Sequence, residues 1–205
     1  MINEIADGLA LAQGYLDRSQ QTAIMEDIRK VVAAAPLYQP VMPRSGRPFS
    51  VKMSNCGPLG WISDKAGYRY QKTHPETGQP WPDMPGSIVK IWQELSGHGA
   101  PAECCLINFY RAGAKMGLHR DENEEDFSAP VVSISLGDEA LFRFGGEQRK
   151  SPTKSVRLAS GDVLVMGGAA RLSYHGVDRV YPDTSSLLRG GGRLNLTLRR
   201  VTRQV

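Results

Sequence analysis

Short β-rich segments alternate with glycine turns over the second half of the chain, from Glu103 onward. Many short strands at regular spacing are typical of a sandwich, a barrel or a jelly-roll. A mainly β fold is therefore expected for this half. The predicted strands are 103–110, 130–137, 140–145, 155–158, 162–166, 172–176 and 192–200.

The first half of the chain has a different pattern, with apolar residues at helical spacing and stretches rich in proline and glycine. With 205 residues, of which 40% are hydrophobic, a single domain over 1–205 is expected. The elements predicted here are a strand in 8–16, a helix capped by Ser19 that runs to about Ala35, a loop in 36–48, a strand that starts at Phe49 and a helix from about Ser87 to Ser96.

Charge and cysteine content narrow the class of protein. The net charge of +4 and the pI of about 9.0 mildly favour an acidic partner such as nucleic acid, although a slightly basic soluble enzyme would look the same. Three cysteines without a C-x-x-C motif indicate free thiols in a reducing cytosol. The start MINEIADGLALAQG carries acids where a signal peptide needs basic residues, and no apolar run approaches the roughly 18 residues of a membrane span. We expect a cytoplasmic protein without a membrane segment.

The triplet His119-Arg120-Asp121 is a candidate metal site. Side chains two apart on a strand point the same way, and one imidazole beside one carboxylate makes two of the three ligands in a 2-His-1-carboxylate site. His175 is the candidate for the third ligand. The alternative is a turn with a polar histidine. The other two histidines, His74 and His98, lie in stretches that are typical of surface loops.

An acidic run, Glu122 to Asp126, follows this triplet directly. A solvated loop is the expected state for most of it. Glu122 and Asn123 are the members expected to lie close enough to the metal to matter.

Strict alternation marks residues 193–199, Arg-Leu-Asn-Leu-Thr-Leu-Arg. The leucines are expected to face the core, so Arg193, Asn195, Thr197 and Arg199 share the opposite face. Two buried arginines need an anion, and a guanidinium matches a carboxylate in bidentate fashion. Asn108 and Tyr110 could add neutral donors for a small dicarboxylate that also chelates the metal. The alternative is an exposed edge strand with solvated arginines.

Aromatic residues interleaved with cations fill the region from Trp61 to Trp81, which is rich in proline and glycine. Bases stack on aromatic rings while cations hold phosphates, so this region is a candidate nucleic-acid-binding lid. The alternative is that Trp61 and Trp81 anchor a long loop to the core.

Taken together, these motifs resemble the AlkB family of iron(II)- and 2-oxoglutarate-dependent dioxygenases, which repair alkylated nucleic acid bases. The resemblance covers roughly residues 49–200 and is closest to the bacterial members. It rests on Asn55-Cys-Gly-x-Leu-Gly-Trp61, Gly67-Tyr-x-Tyr70, Asn108-x-Tyr110, His119-x-Asp121, Ser133-Ile-Ser-Leu-Gly137, Phe142-x-Phe-Gly-Gly146, Gly161-Asp162, Tyr174-His175-Gly176 and Arg193-x-Asn-Leu-Thr-x-Arg199.

The resemblance implies an α+β chain with a double-stranded β-helix, or jelly-roll, core over about residues 103–200. It implies a nucleotide-recognition lid over about residues 49–86. By position, Fe(II) would be bound by His119, Asp121 and His175, and 2-oxoglutarate by Asn108, Tyr110, Arg193, Asn195 and Arg199. The substrate nucleotide would contact Trp61, Tyr68, Tyr70, Asn123 and Arg149, with His119 stacked on the base opposite Trp61.

The implied activity is oxidative demethylation of N-alkylated bases such as 1-methyladenine and 3-methylcytosine. It would use Fe(II), 2-oxoglutarate and O₂, release succinate, CO₂ and formaldehyde, and act as direct reversal repair. The expected partner is single- or double-stranded alkylated DNA, with RNA left open, and the expected state is a monomer. The alternatives are an oxygenase for a substrate other than nucleic acid and a non-enzymatic metal- or nucleic-acid-binding module.

Two departures from the family pattern bear on the choice of base. Asn123 stands where the bacterial proteins often carry Asp, and that acid is thought to contact the damaged base. Met166 stands where many relatives have Trp, so an altered pocket wall is expected.

Overall fold

Thirteen strands, two α-helices and a short 3₁₀ helix make up the part of the chain that the computed structural model describes, residues 2–203. The helices are α1 (Arg18–Ala34) and α2 (Gly86–Leu95), and the 3₁₀ helix is Gly168–Ala170. The strands are β1 (Ile2–Ala6), β2 (Leu9–Ala12), β3 (Lys52–Cys56), β4 (Gly60–Asp64), β5 (Gly67–Gln71), β6 (Cys104–Tyr110), β7 (Met116–His119), β8 (Val131–Gly137), β9 (Glu139–Phe144), β10 (Lys154–Leu158), β11 (Val163–Met166), β12 (His175–Tyr181) and β13 (Arg193–Arg199).

Two antiparallel sheets pack face to face and form a jelly-roll. The major sheet has the order β1-β2-β11-β8-β13-β6-β3, and the minor sheet has the order β10-β9-β12-β7. Leu106 and Leu164 of the major sheet share one apolar cluster with Phe142 and Val177 of the minor sheet. The strands β4 and β5 form a separate hairpin. These observations confirm the predicted mainly β fold with flanking helices.

Strand β13 lies inside the major sheet, between β8 and β6, so the edge-strand interpretation of its arginines is wrong. Its leucines are buried in a second apolar cluster with Ile28 of α1 and Trp92 of α2. Its polar residues point the other way, into the space between the sheets. The major sheet therefore has a helix-covered apolar face and a polar inner face, as the alternation predicts.

Helix α1 begins one residue after Asp17, which is its N-cap instead of the predicted Ser19. The Asp17 carboxylate accepts from the Gln20 backbone N–H at 2.8 Å, and the Gln20 side chain accepts from the Asp17 backbone N–H at 2.9 Å. This reciprocal capping box satisfies two donors that the first turn would leave unpaired. The helix ends at Ala34, just before Pro36.

The β4–β5 hairpin is anchored by Trp81, whose indole is buried and donates to the Gln71 carbonyl at 2.9 Å. Gly60 leaves room for this ring, because a Cβ there would come within 2.4 Å of it. Trp81 is therefore the structural anchor that one interpretation of the sequence proposed. Strand β3, which lies within the segment predicted as a lid, pairs with β6 in the major sheet.

Several elements depart from the predicted bounds. The strand predicted at 172–176 begins at His175 and continues to Tyr181, and β1, β4, β5 and β7 are additional strands. His74 was expected on the surface but is 1% exposed, since its ring accepts from two backbone N–H groups of the following turn and contacts the Pro36 carbonyl at 2.8 Å. Neither α1 nor α2 has the length and apolar character to cross a membrane.

Candidate active site

Two histidines face each other across neighbouring strands of the minor sheet. His119 on β7 and His175 on β12 are register partners, and their ring centroids lie 4.5 Å apart. Each ring places Nδ1 next to the carbonyl oxygen two residues earlier, at 2.9 Å for His119 and 3.0 Å for His175. A carbonyl only accepts, so each Nδ1 carries the proton and each Nε2 keeps its lone pair for a metal.

Asp121 follows β7 directly and completes the cluster. Its Oδ1 lies 3.9 Å from the His119 Nε2, while its Oδ2 accepts from Arg199 Nε at 2.9 Å and Nη2 at 2.8 Å. Burial alone would raise the pKa of the Asp121 carboxyl, but the charge of Arg199, with the two histidines, holds this pKa well below its usual value. The three ligand atoms lie within 4.8 Å of one another, and an anionic oxygen with two neutral imidazoles suits iron(II).

The cavity beside these ligands, about 650 Å³ in volume, contains buried polar atoms without a hydrogen-bond partner among residues 2–203. They are the Asn108 Oδ1, the Arg193 Nε and the Arg199 Nη1. A buried polar atom without a partner is costly, so these three atoms point to a polar ligand. A small dicarboxylate such as 2-oxoglutarate fits, since two guanidinium groups in one cavity can each pair with a carboxylate.

Arg193 lines this cavity and is almost fully buried, at 1% exposure. Its Nη2 donates to the Ser135 hydroxyl at 2.8 Å, which fixes the plane of the guanidinium. Tyr110 is its register partner on β6, and burial raises the pKa of the Tyr110 phenol to about 12. The Tyr110 hydroxyl therefore stays protonated and can donate to an anion next to Arg193.

Asn195 lines the same wall, but protein groups already use its amide. Its Nδ2 donates to the Ser133 hydroxyl at 2.7 Å and to the Ile134 carbonyl at 3.2 Å, and its Oδ1 accepts from Thr197 at 3.0 Å. The structure thus places all five residues predicted to hold 2-oxoglutarate around one cavity. Their individual roles toward the co-substrate stay predictions.

Glu124 belongs to a buried charge network that the sequence did not indicate. Its carboxylate lies 3.2 Å from the Arg171 Nη2 and 3.6 Å from the Arg199 Nε, and it accepts from the Tyr70 hydroxyl. Arg171 also donates to the Asp121 carbonyl at 2.8 Å. The expectation that the acidic run is mostly solvated is therefore wrong for Glu124 and for Asp126, which are 6% and 7% exposed.

Aromatic rings form the mouth of the cavity. Trp61 stacks on Tyr68 with ring centroids 5.5 Å apart and planes 18° apart. The Asn55 amide holds the Trp61 backbone through two hydrogen bonds of 3.0 Å. The Trp61 indole N–H donates to the Asn123 Oδ1 at 3.1 Å, and Arg149, which also lines the cavity, lies above the Tyr174 ring.

The structure brings together four of the five residues predicted to contact the nucleotide: Trp61, Tyr68, Asn123 and Arg149 all line the cavity. Tyr70 does not line the cavity, and its hydroxyl donates to Glu124. Met166 is buried in the cavity wall, where an altered pocket was expected.

Sequence reasoning missed Ser135, Glu124 and Arg171. Ser135 accepts a hydrogen bond from Arg193, and Arg171 donates to Glu124. The alternation of Ser133 and Ser135 on one strand face could have indicated that Ser135 lies near Arg193. Nothing local distinguishes Glu124 from the solvated acids around it, because its partners are distant in sequence.

Comparison with known proteins agrees with this geometry. A family model described as the 2OG-Fe(II) oxygenase superfamily matches residues 8–199. The chain is 52% identical over 196 residues to an alpha-ketoglutarate-dependent dioxygenase AlkB homolog of Caulobacter vibrioides, and the aligned region covers 96% of this chain and 89% of the relative. It is 45% identical over 158 residues to the alpha-ketoglutarate-dependent dioxygenase AlkB of Escherichia coli, and the aligned region covers 75% of this chain and 73% of that protein.

The fold has a close counterpart among solved structures. The structure of OsALKBH1 superposes with a TM-score of 0.82 and 31% sequence identity, and the match covers 98% of this chain and 100% of the other. The similarity therefore extends over both sheets, the hairpin and the helices.

Proposed function

The chain belongs to the AlkB group of the 2OG-Fe(II) oxygenase superfamily, and from this premise we propose that it removes N-methyl groups from the bases of DNA. It is an Fe(II)- and 2-oxoglutarate-dependent dioxygenase that demethylates alkylated bases oxidatively. The proposal adds DNA as the principal substrate, with 1-methyladenine and 3-methylcytosine among the lesions. RNA is the alternative substrate for the same site.

One observation carries the choice of a base as substrate. The stacked pair Trp61 and Tyr68 stands at the mouth of the cavity that contains the three metal ligands. A flat aromatic surface binds a planar base that has left the base stack, and stacking contributes about 1–3 kcal/mol per base. A methylated base placed between Trp61 and His119 would present its methyl group to the metal.

When bound, iron(II), 2-oxoglutarate and O₂ supply the oxidation that hydroxylates the N-methyl carbon, and the products are succinate, CO₂, formaldehyde and the repaired base. His119, Asp121 and His175 would hold the iron, and Arg193 and Tyr110 would bind one carboxylate of 2-oxoglutarate. Arg199 orients Asp121 through two hydrogen bonds to Oδ2, which would leave Oδ1 to bind the iron.

The rim of the cavity suits a polyanionic strand. Lys115, Arg120 and Arg149 lie on the rim and can contact phosphates, which positions the strand without selecting its sequence. We further propose that the protein acts as a monomer in the cytoplasm. The cysteines at positions 56, 104 and 105 are buried free thiols, which is consistent with a reducing compartment.

The test is an assay of repair on single-stranded DNA. The protein is incubated with Fe(II), 2-oxoglutarate, ascorbate and air, and with an oligonucleotide that carries one 1-methyladenine or 3-methylcytosine. Mass spectrometry measures the loss of one methylene unit from the oligonucleotide, and succinate is measured in parallel. An oligoribonucleotide with the same lesion gives the ratio of DNA to RNA repair.

Repair in the wild-type protein and its loss in the Asp121→Ala variant would support the proposal. Succinate formation without repair of either oligonucleotide would overturn the choice of substrate and leave the oxygenase. Faster repair of the oligoribonucleotide would move the principal substrate from DNA to RNA.

A further inference from the structure

A tyrosine with two arginines lies outside the cavity, at the end of β12. The Tyr181 ring has the guanidinium carbon of Arg157 4.1 Å from its centroid and that of Arg179 6.0 Å away. Both distances are within the range in which an aromatic ring attracts a cation. Both arginines are exposed, so a molecule in solution can reach them. These three residues form the Tyr181 cluster.

The strand register places this cluster on the outer face of the minor sheet. Arg157 of β10 and Arg179 of β12 are both register partners of Leu141 on β9, so the three residues form one row across the sheet. The neighbours of Leu141 along β9, Ala140 and Phe142, are buried in the core between the sheets. Because side chains of a strand alternate between faces, the row points away from the cavity.

The charges on this face leave one guanidinium without a counter-ion. The Glu139 carboxylate forms an ion pair with Arg157, and Asp178 lies 3.2 Å from the Arg143 Nε. Arg179 forms no ion pair with a carboxylate of residues 2–203. Two guanidinium groups that share one tyrosine ring repel each other, and an anion between them removes the repulsion. The cluster is therefore suited to an anionic group from outside the protein.

The same arrangement recurs at the other end of β12, at the rim of the cavity. Tyr174 precedes the strand, and the guanidinium carbons of Arg120 and Arg149 lie 5.6 Å and 5.9 Å from its ring centroid. Both arginines line the cavity and belong to the proposed phosphate-binding rim. Arg143 of β9 lies between the two ends in the strand register. Basic side chains thus follow β12 from the rim to the Tyr181 cluster.

We propose that the Tyr181 cluster is a second binding site for the nucleic acid strand and binds a phosphate that flanks the damaged nucleotide. Arg157 and Arg179 would donate to the phosphate oxygens, and Tyr181 would hold the two guanidinium groups side by side. The proposal rests on the proposed function, because it takes a nucleic acid strand as the substrate. It adds a contact on a face of the protein that the damaged base does not touch.

The separation of the two ends of β12 sets the length of strand that can reach both sites. Tyr181 follows Tyr174 by seven residues, which corresponds to roughly 23 Å of extended chain. Stacked nucleotides are about 3.4 Å apart along the axis, so roughly seven of them span this distance, and fewer do so in a stretched strand. A trinucleotide would therefore fill the cavity alone, whereas a longer strand would also reach the Tyr181 cluster.

The test compares a trinucleotide with a strand of about twenty nucleotides, each with one central 1-methyladenine. Calorimetry on the Mn(II)-bound protein, which does not turn over, gives the two Kd values. In the double variant Arg157→Gln with Arg179→Gln, we expect the Kd of the longer strand to rise about fivefold to twentyfold and that of the trinucleotide to change less than twofold. The single variant Arg179→Glu, at an exposed residue without an ion pair, should show the same difference between the two lengths.

Salt dependence provides a second readout that a structural defect would not change in the same way. Each phosphate contact of a single strand contributes about 0.7 to the slope of log K against log salt, so the double variant should lower the slope for the longer strand by up to about 1.4. The matched control is Arg29→Gln with Lys30→Gln, which removes two exposed cations from α1, on the far side of the major sheet. This control should leave the slope and both Kd values nearly unchanged.

An unchanged Kd for the longer strand in both Arg179 variants would overturn the proposal, and so would an equal rise for the trinucleotide. An equal effect of the α1 control would also overturn it, because net charge alone would then explain the loss. The binding measurements need no turnover, so they decide the proposal independently of repair. Absence of repair of any methylated base by the wild-type protein would count against the proposed function itself.

Discussion

The two carboxylate oxygens of Asp121 have separate partners, and this division leaves one of them available to a metal. Arg199 occupies Oδ2, so only Oδ1 faces the two imidazoles. The backbone carbonyls of Gly117 and Ser173 act on the two histidines in the same way. Each accepts a hydrogen bond from an Nδ1, which leaves the Nε2 of that ring free. Each ligand atom is thus selected by a neighbour that binds the other polar atom of the same side chain.

Arg193→Lys should weaken the binding of 2-oxoglutarate. Arg193 is buried, is fixed by Ser135, and has an Nε without a partner in the part of the chain that the structure describes. A lysine cannot present a planar pair of donors. We expect the Kd for 2-oxoglutarate to rise roughly tenfold to a hundredfold, as measured by calorimetry on the Mn(II)-bound protein. Arg179→Lys, an exposed residue of β12 outside the cavity, is the matched control, and an equal effect there would contradict the assignment.

The stability of the metal-free protein should depend on His175 in a defined pH window. Burial, with the nearby charge of His119, lowers the pKa of His175 from 6.5 to about 4. The unfolded chain then binds the extra proton between these pH values, so stability is complete above about pH 6.5 and falls as the pH approaches 4. The loss amounts to roughly 3 kcal/mol.

Urea unfolding of metal-free protein at several pH values measures this loss, and His175→Gln should remove it. Asp121 also contributes to stability, because its pKa is lowered in the folded state. That contribution is lost only below the pKa of an aspartate in the unfolded chain, at more acidic pH than the contribution of His175. The two losses of stability are therefore separable. A variant that retains the full loss between pH 6.5 and 4 would show that another group titrates there.

At the scale of elements, the hairpin and the loop after β7 are joined at two adjacent points. Trp61 and Tyr70 are register partners on β4 and β5, and they contact the consecutive residues Asn123 and Glu124. Glu124 in turn lies between Arg171 and Arg199, which hold Asp121. The hairpin that covers the cavity is therefore connected to a metal ligand through one short chain of contacts.

Tyr70→Phe should loosen this hairpin. The variant keeps the ring but removes the hydroxyl that donates to Glu124. We expect amide hydrogen exchange over residues 60–71 to become about fivefold to tenfold faster, as the loss of one such bond implies. Tyr15→Phe is the control, because Tyr15 also donates to a carboxylate, that of Glu94, but on the exposed surface away from the cavity. Equal protection in both variants would mean that the Tyr70 bond does not hold the hairpin.

The sequence allowed most of the longer strands to be predicted because period-two alternation is a local signal, and it is clearest in β13. The strands β1, β4, β5 and β7 were not predicted. The same alternation identified the polar face that carries Arg193 and Arg199. The contacts of Glu124, the burial of His74 and the extent of β12 could not be predicted in this way. Each depends on partners far along the chain, such as Arg171 for Glu124 and Pro36 for His74, which alternation does not reveal.

For the whole molecule, the candidate site draws on both sheets. Its metal ligands come from β7, β12 and the loop after β7 in the minor sheet, while Asn108, Tyr110 and the arginines come from β6 and β13 of the major sheet. A ligand that contacts both sheets binds the folded state alone, so its binding energy adds to the free energy of unfolding.

Mn(II) and 2-oxoglutarate added together should therefore raise the melting temperature. At a hundred times the Kd, linkage adds about 2.7 kcal/mol, which corresponds to a rise of roughly 5–10 °C for a chain of this size. Differential scanning fluorimetry measures the shift. His119→Ala, which removes a half-exposed ligand, should lose most of it, and a full shift in that variant would mean that the metal is bound elsewhere.

The alternation of β13 also has a consequence for how this protein can change over evolutionary time. A one-residue insertion in this strand would turn its leucines toward the cofactor cavity and its arginines toward the helices, so it would destroy stability and chemistry at once. The exposed rim residues Tyr68 and Asn123 carry no such double constraint. New substrate preferences can therefore arise by mutation at the rim while the oxidative centre is inherited unchanged.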